Sequence, residues 1–108
     1  MFWDNELQAA AIQTLLDRTG RFRGQTLFQQ GQITDAFFRL YKRRRSFADG
    51  ERILLEVALD FWNGSGQARF SELYMLNLFE REHIFSLYQA LCEGPHAILD
   101  WIEGKPQE

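Results

Sequence analysis

The sequence predicts an all-α domain: a compact bundle of about five helices of unequal length, with one very short β segment placed near residues 67–70. Three observations carry that expectation. Apolar residues recur at spacings of three and four over several separate stretches. Ser, Thr, Asn, Gly and Pro sit where helices start and stop. At 108 residues and 45% hydrophobic, the chain can bury about two-thirds of its unfolded surface without staples, so residues 1–108 read as a single helical domain.

Asp4 is placed as the N-cap of a first helix running to about residue 18, because Leu7, Ala11, Ile12, Leu15 and Leu16 form one stripe before Thr19-Gly20 stops it. Residues 21–32 hold two glycines and several polar side chains around Leu27 and Phe28 and read as a loop. Thr34 caps a second helix over residues 35–45, with Ile33, Phe37, Leu40 and Tyr41 on one side and cations in its last turn. Ser46 with Asp49 resembles a capping box opening a third helix whose broad apolar face, Ile53 to Trp62, makes it the expected core helix. Asn63-Gly64-Ser65-Gly66 ends it, since Asn and Gly tolerate left-handed backbone. A short helix follows over residues 71–76. Asn77 then caps a longer one through Cys92, carrying Leu78, Ile84, Phe85, Leu87, Tyr88 and Leu91. Gly94 closes that helix and Pro95 suits the first position of a last one bearing Ile98, Leu99 and Trp101.

Charge divides by half. Through Arg45 there are eight Lys/Arg against four Asp/Glu, and from Ser46 onward four against eleven, within a total of −3. Such a chain either closes on itself electrostatically or offers one pole to a partner. The run Lys42-Arg43-Arg44-Arg45 ends an aromatic helical segment, where the helix dipole alone favours each cation by about 0.3–1 kcal/mol. Arg39, Lys42, Arg43 and Arg45 can line one side of that helix, and Arg21-Phe22-Arg23 adds two charges and a stacking ring. A nucleic-acid site through Lys42 to Arg45 is therefore one reading. The sequence pI near 5.4 argues against a dedicated binder of that kind.

Catalytic patterns are sparse. Glu80 and His83 form one Glu-x-x-His, but a di-iron bundle needs two copies plus two glutamates, and Gly94-Pro95 breaks the spacing between Glu93 and His96. Cys92 with His96 supplies two of the four ligands of a structural zinc site. Cys92 itself closes an apolar helix, the setting of a small buried thiol. There is no glycine-rich dinucleotide motif and no phosphate loop. Neither an enzyme nor a cofactor is expected.

Asn63, Ser65, Gly66 and Glu72 stand at the spacing of positions three, five, six and twelve of a calcium loop, so this stretch resembles part of an EF-hand. Phe61 occupies the place of the first aspartate, with Asp60 one residue out of register, and Arg69 adds a cation. The resemblance implies at most a degenerate calcium module, and a glycine turn followed by an N-cap accounts for the same residues.

Elimination, together with 15% aromatic residues, leaves a non-enzymatic protein-binding module. The expected contact residues are Arg39, Lys42, Arg43, Arg44, Arg45, Phe47, Trp3 and Trp101. Phe2 and Trp62 are further rings for which a small core has limited room, Trp62 being the one placed in the core. In general form, though in no motif, the chain is similar to small viral or mobile-element antagonists that block a larger complex, such as anti-CRISPR proteins. The expected partner is a protein or protein complex, with nucleic acid as the alternative and no membrane. One unpaired cysteine and the lack of a signal-peptide plan in residues 1–6 suit a reducing, cytoplasmic setting.

Overall fold

The computed structural model describes residues 5–105. In chain order these form α1 (Asn5–Thr19), a hairpin of β1 (Phe28–Gln29) and β2 (Gln32–Ile33), α2 (Asp35–Lys42), a 3-10 turn (Arg44–Ser46), α3 (Asp49–Asn63), a second 3-10 turn (Phe70–Met75), α4 (Leu78–Glu93) and α5 (Pro95–Glu103). The architecture is the expected helical bundle with one small β element. The expected cap Asp4 lies outside the described residues, as do Phe2 and Trp3. No helix among the described residues is long and apolar enough to cross a membrane.

One hydrophobic core runs through all the layers, built from Ile12, Leu15 and Leu16 of α1, Leu27 and Phe28, Phe37 of α2, Ile53 to Leu55 of α3, Leu87 of α4 and Ile98 of α5. The sequence put α3 at its centre. In the fold α1 is at least as central, packing against the hairpin, α3, α4 and α5. Two of its polar side chains also complete other helices. Gln8, itself buried, donates to the carbonyls of Phe61 (2.8 Å) and Trp62 (3.0 Å) at the end of α3. Arg18 donates to the carbonyls of Trp101 (3.0 Å) and Ile102 (2.7 Å) at the end of α5. These carbonyls lie in the last turns, where a helix runs out of internal donors, although Trp101 also accepts from the Gly104 amide, and a cation there suits the dipole.

Three sequence expectations change. The loop over residues 21–32 contains the hairpin: Phe28 pairs with Ile33 and Gln29 with Gln32, and the two residues between the strands have positive φ, Gln30 at 53° and Gly31 at 74°. That is the backbone of a two-residue hairpin turn, normally announced by Asn-Gly rather than Gln-Gly. Gln13 of α1 holds it in place, its Oε1 accepting from the amides of Leu27 (2.8 Å) and Phe28 (2.9 Å). No strand forms at residues 67–70. The backbone there is extended at Arg69 but has no neighbouring strand, and the Ala68 amide instead donates to Asp60 Oδ2 of α3 at 3.2 Å.

The third change concerns the helix starts and the basic run. Thr34, Asn77 and Pro95 act as expected, and Asn77 exchanges hydrogen bonds with Glu80 in a full capping box. Ser46 does not cap α3: its hydroxyl donates back to the Arg43 carbonyl (2.7 Å), and the helix begins after Ala48, whose amide donates to Glu51 (3.2 Å). α2 ends at Lys42 rather than continuing through Arg45, and the tighter turn that follows sends its arginines in different directions.

Gly66 shows how closely the segment after α3 is packed. A methyl group there would overlap the Glu56 carbonyl oxygen and come within 2.8 Å of the Asp60 amide nitrogen. Gly66→Ala is therefore expected to cost about 3 kcal/mol by overpacking. Gly64→Ala meets open space and only the left-handed φ of 79°, for about 1–2 kcal/mol. Thermal melts of both variants check the order.

Candidate functional site

Arg39, Lys42 and Arg43 stay together. With Gln25, Ala36 and Leu40 they line a shallow groove of about 520 Å³ along α2, and none of the three has an ion pair among the described residues. The Arg43 guanidinium lies 5.7 Å from the ring of Phe47, which is only half-buried.

Arg44 belongs to the interior instead. Its Nε donates to Glu56 Oε2 at 2.9 Å, its Nη1 to the Tyr41 carbonyl at 3.1 Å and its Nη2 to Gln67 at 3.0 Å, and its plane lies 4.0 Å over the Tyr41 ring. Glu56 is only 2% exposed and receives a second guanidinium, Arg52, at 3.0 Å. Arg52 also reaches Glu72 at 2.8 Å. A carboxylate this buried is tolerable only when its oxygens are saturated by donors. Arg44 is thus removed from the expected contact residues by a demand of the core. Trp101 is removed as well: it is 5% exposed, donates from its indole nitrogen to Ser86 Oγ (2.8 Å) and lies beneath Arg18. Trp3 lies outside the described residues. Trp62 packs on Phe28 with ring centroids 5.6 Å apart, as its place in the core requires.

Arg45 faces a different depression, a polar basin of about 670 Å³ that it lines with Arg52, Glu56, Gln67, Ala68, Arg69 and Glu72. Here the hydrogen bond from Arg52 is the main influence that holds the Glu72 carboxyl below its usual range, aided by the charges of Arg52, Arg69 and Arg45. This basin overlaps the stretch that resembles a calcium loop, but its ligating groups are otherwise engaged. Asn63 Oδ1 accepts from the amide and hydroxyl of Ser65, Asp60 from Ala68, and Glu72 from Arg52. The residues do not fit a calcium ion, and among the described residues no three His, Cys, Asp or Glu side chains converge on a metal position. The Glu-x-x-His pair is likewise divided. Glu80 is buried, binds Arg21 and caps its own helix, while His83 packs at a tilt against Phe79. Burial pushes the Glu80 carboxyl up, but the Arg21 and Asn77 hydrogen bonds with the Arg21 charge outweigh it, so it too titrates low.

The surface that the sequence reading missed is aromatic. Phe70 is 82% exposed at the start of the second 3-10 turn, and Tyr74, Met75, Leu78, Phe85 and Tyr88 follow it, all exposed. Phe70 meets Phe85 with centroids 6.0 Å apart. Together with Tyr88 they stand over an apolar groove of about 470 Å³ between α3 and α4, floored by Val57, Phe61, Leu73 and Ile84. The signal was present in α4: Leu78, Phe85 and Tyr88 form a stripe beside the inward-facing one of Ile84, Leu87 and Leu91, so the apolar surface of the helix is wider than its neighbours cover. Cys92, expected buried, is exposed at the end of the outer stripe.

Two outcomes check this geometry. Arg44→Ala, which leaves Glu56 short of a donor, is expected to cost about 2 kcal/mol or more in urea denaturation, whereas Arg45→Ala next to it stays within about 0.5 kcal/mol. Both low-titrating carboxylates, Glu72 and Glu80, have an ordinary value of 4.5. A folded value below the unfolded one means stability that is complete above pH 4.5 and is lost as pH falls through the folded values. The urea midpoint is expected to decline below that point, and Glu72→Gln to make the decline shallower. Compared with known proteins, the chain matches no family model, no curated protein and no solved structure.

Proposed function

We propose that the chain is a non-enzymatic protein-binding module that docks a larger protein or complex through the aromatic face of the second 3-10 turn and α4. Its proposed action is steric or charge-based blocking of that complex, as small antagonists of the anti-CRISPR kind act. The observation that supports this reading is the exposure of Phe70, Phe85 and Tyr88 around one apolar groove, with Tyr74 and Leu78 also exposed on the same two consecutive elements. A fully buried aromatic side chain removes about 150–250 Å² from water, so covering these rings involves an area on the scale of one side of an ordinary interface, about 800 Å². Scattered exposed apolar residues need no explanation, whereas a cluster of this size does.

A second reading has its own observation. Arg39, Lys42 and Arg43, without ion pairs among the described residues, line a groove along α2 that suits phosphates. Only three cations of the basic segment remain there once Arg44 is turned inward, which favours the aromatic face.

Phe70→Ala is expected to leave the melting temperature unchanged and to weaken partner capture by about thirtyfold, the effect of an aromatic anchor of about 2 kcal/mol. The check is affinity capture from the native source with and without nuclease. A nuclease-resistant partner lost on Phe70→Ala carries the first reading. Capture that disappears with nuclease, falls steeply with salt and is lost on Lys42→Gln with Arg43→Gln carries the second.

A further inference from the structure

The apolar groove and the polar basin are neighbours. Ala68 and Arg69 line both, so one side of that short segment faces Val57, Phe61, Phe70 and Phe85 while the other faces Arg45, Arg52, Glu56 and Glu72. The charges of the basin do not balance. Arg44 and Arg52 are committed to Glu56, and Arg52 also to Glu72. Arg45 and Arg69 remain, exposed and without an ion pair among the described residues. The one carboxylate on the apolar groove, Asp60, is engaged by the Ala68 amide. On the outer stripe of α4, between Leu78 and Phe85, Arg81 has a buried Nε with no hydrogen-bond partner among the described residues.

Resting on the reading that this face docks a protein, we infer that the partner segment carries an acidic side chain next to its apolar anchor. The anchor enters the groove between Phe70, Phe85 and Tyr88, and the carboxylate meets Arg69 and Arg45. Charge complementarity selects this occupant. A basic segment would bring further cations to a rim whose two arginines have no ion pair among the described residues, and a neutral one would leave them only the field of Glu72, which Arg52 already binds. A nucleic-acid strand could stack on the rings, but its repeated phosphates would meet only two arginines at this rim, whereas a single carboxylate needs no more. Arginine suits the purpose because its planar fork donates two hydrogen bonds to a carboxylate while its stem stays against apolar surface.

The test is selection of peptides from a random display library on the immobilised full chain, followed by affinity measurement with the selected peptides. Enriched sequences are expected to pair Asp or Glu with a neighbouring Leu, Ile, Phe or Trp. Their binding is expected to weaken about tenfold on Arg45→Gln with Arg69→Gln, to fall with salt, and to be lost on Phe70→Ala. Both arginines are exposed, so the double variant keeps its fold, and its melting temperature verifies this. Enrichment of apolar peptides without acidic residues, or of basic ones, still sensitive to Phe70→Ala, would overturn the inference and leave the docking face standing. Displacement of the peptides by a single-stranded oligonucleotide, or Phe70-dependent self-association in sedimentation, would overturn it in favour of those occupants. No enrichment sensitive to Phe70→Ala would remove the docking face itself.

Discussion

Glu56 is the constraint on which the surface of this protein depends. A carboxylate enclosed by α3 and the segment that follows it needs donors on both oxygens, and it takes them from Arg44 before the helix and Arg52 within it. Arg44 reaches it from the 3-10 turn that follows the end of α2 at Lys42. That turn separates four consecutive cations into a groove, an internal anchor and a basin. A buried ion pair of this kind adds little net stability over an apolar equivalent but strongly disfavours arrangements that leave one partner alone, so its effect is to select one register. Arg21 with Glu80 repeats the device between the loop after α1 and the start of α4.

The same pairing decides which surfaces are left available. The charge asymmetry of the two halves closes in part on itself, through Arg21 to Glu80 and Arg44 to Glu56. Among the described residues, a short cationic stretch along α2 and two arginines next to an aromatic face stay outside these ion pairs. Aromatic rings and arginine are residue types enriched where interfaces gain their binding energy. Among the described residues His83 packs at a tilt against Phe79, and Cys92 stands at the end of an exposed stripe.

Much of the fold was legible in local chemistry. The caps Thr34 and Asn77, the stop at Gly64 and the start at Pro95 act through a few neighbouring residues, which is why spacing alone located them. The hairpin was not legible. Gln30-Gly31 is a poor turn signal by itself, and its strands are only two residues long. They depend on the Gln13 side chain, fourteen residues from Leu27, for part of their hydrogen bonding. Of the expected contact residues, Arg39, Lys42, Arg43, Arg45 and Phe47 lie at or near the surface, while Arg44 and Trp101 do not, because one is required by a buried carboxylate and the other fills the space beneath Arg18.

The amino-acid sequence by itself determined the helical class, the positions of most helix ends and the unequal charge of the two halves, since all three follow from composition or from interactions a few residues apart. The tertiary structure alone decided which arginines are spent internally and which aromatic residues remain outside. α4 has a wide apolar surface, and nothing in its own residues says that Ile84 and Leu87 turn inward while Phe85 and Tyr88 stay in water. That choice belongs to α1 and α5, which pack on one stripe of the helix and, among the described residues, leave the other exposed.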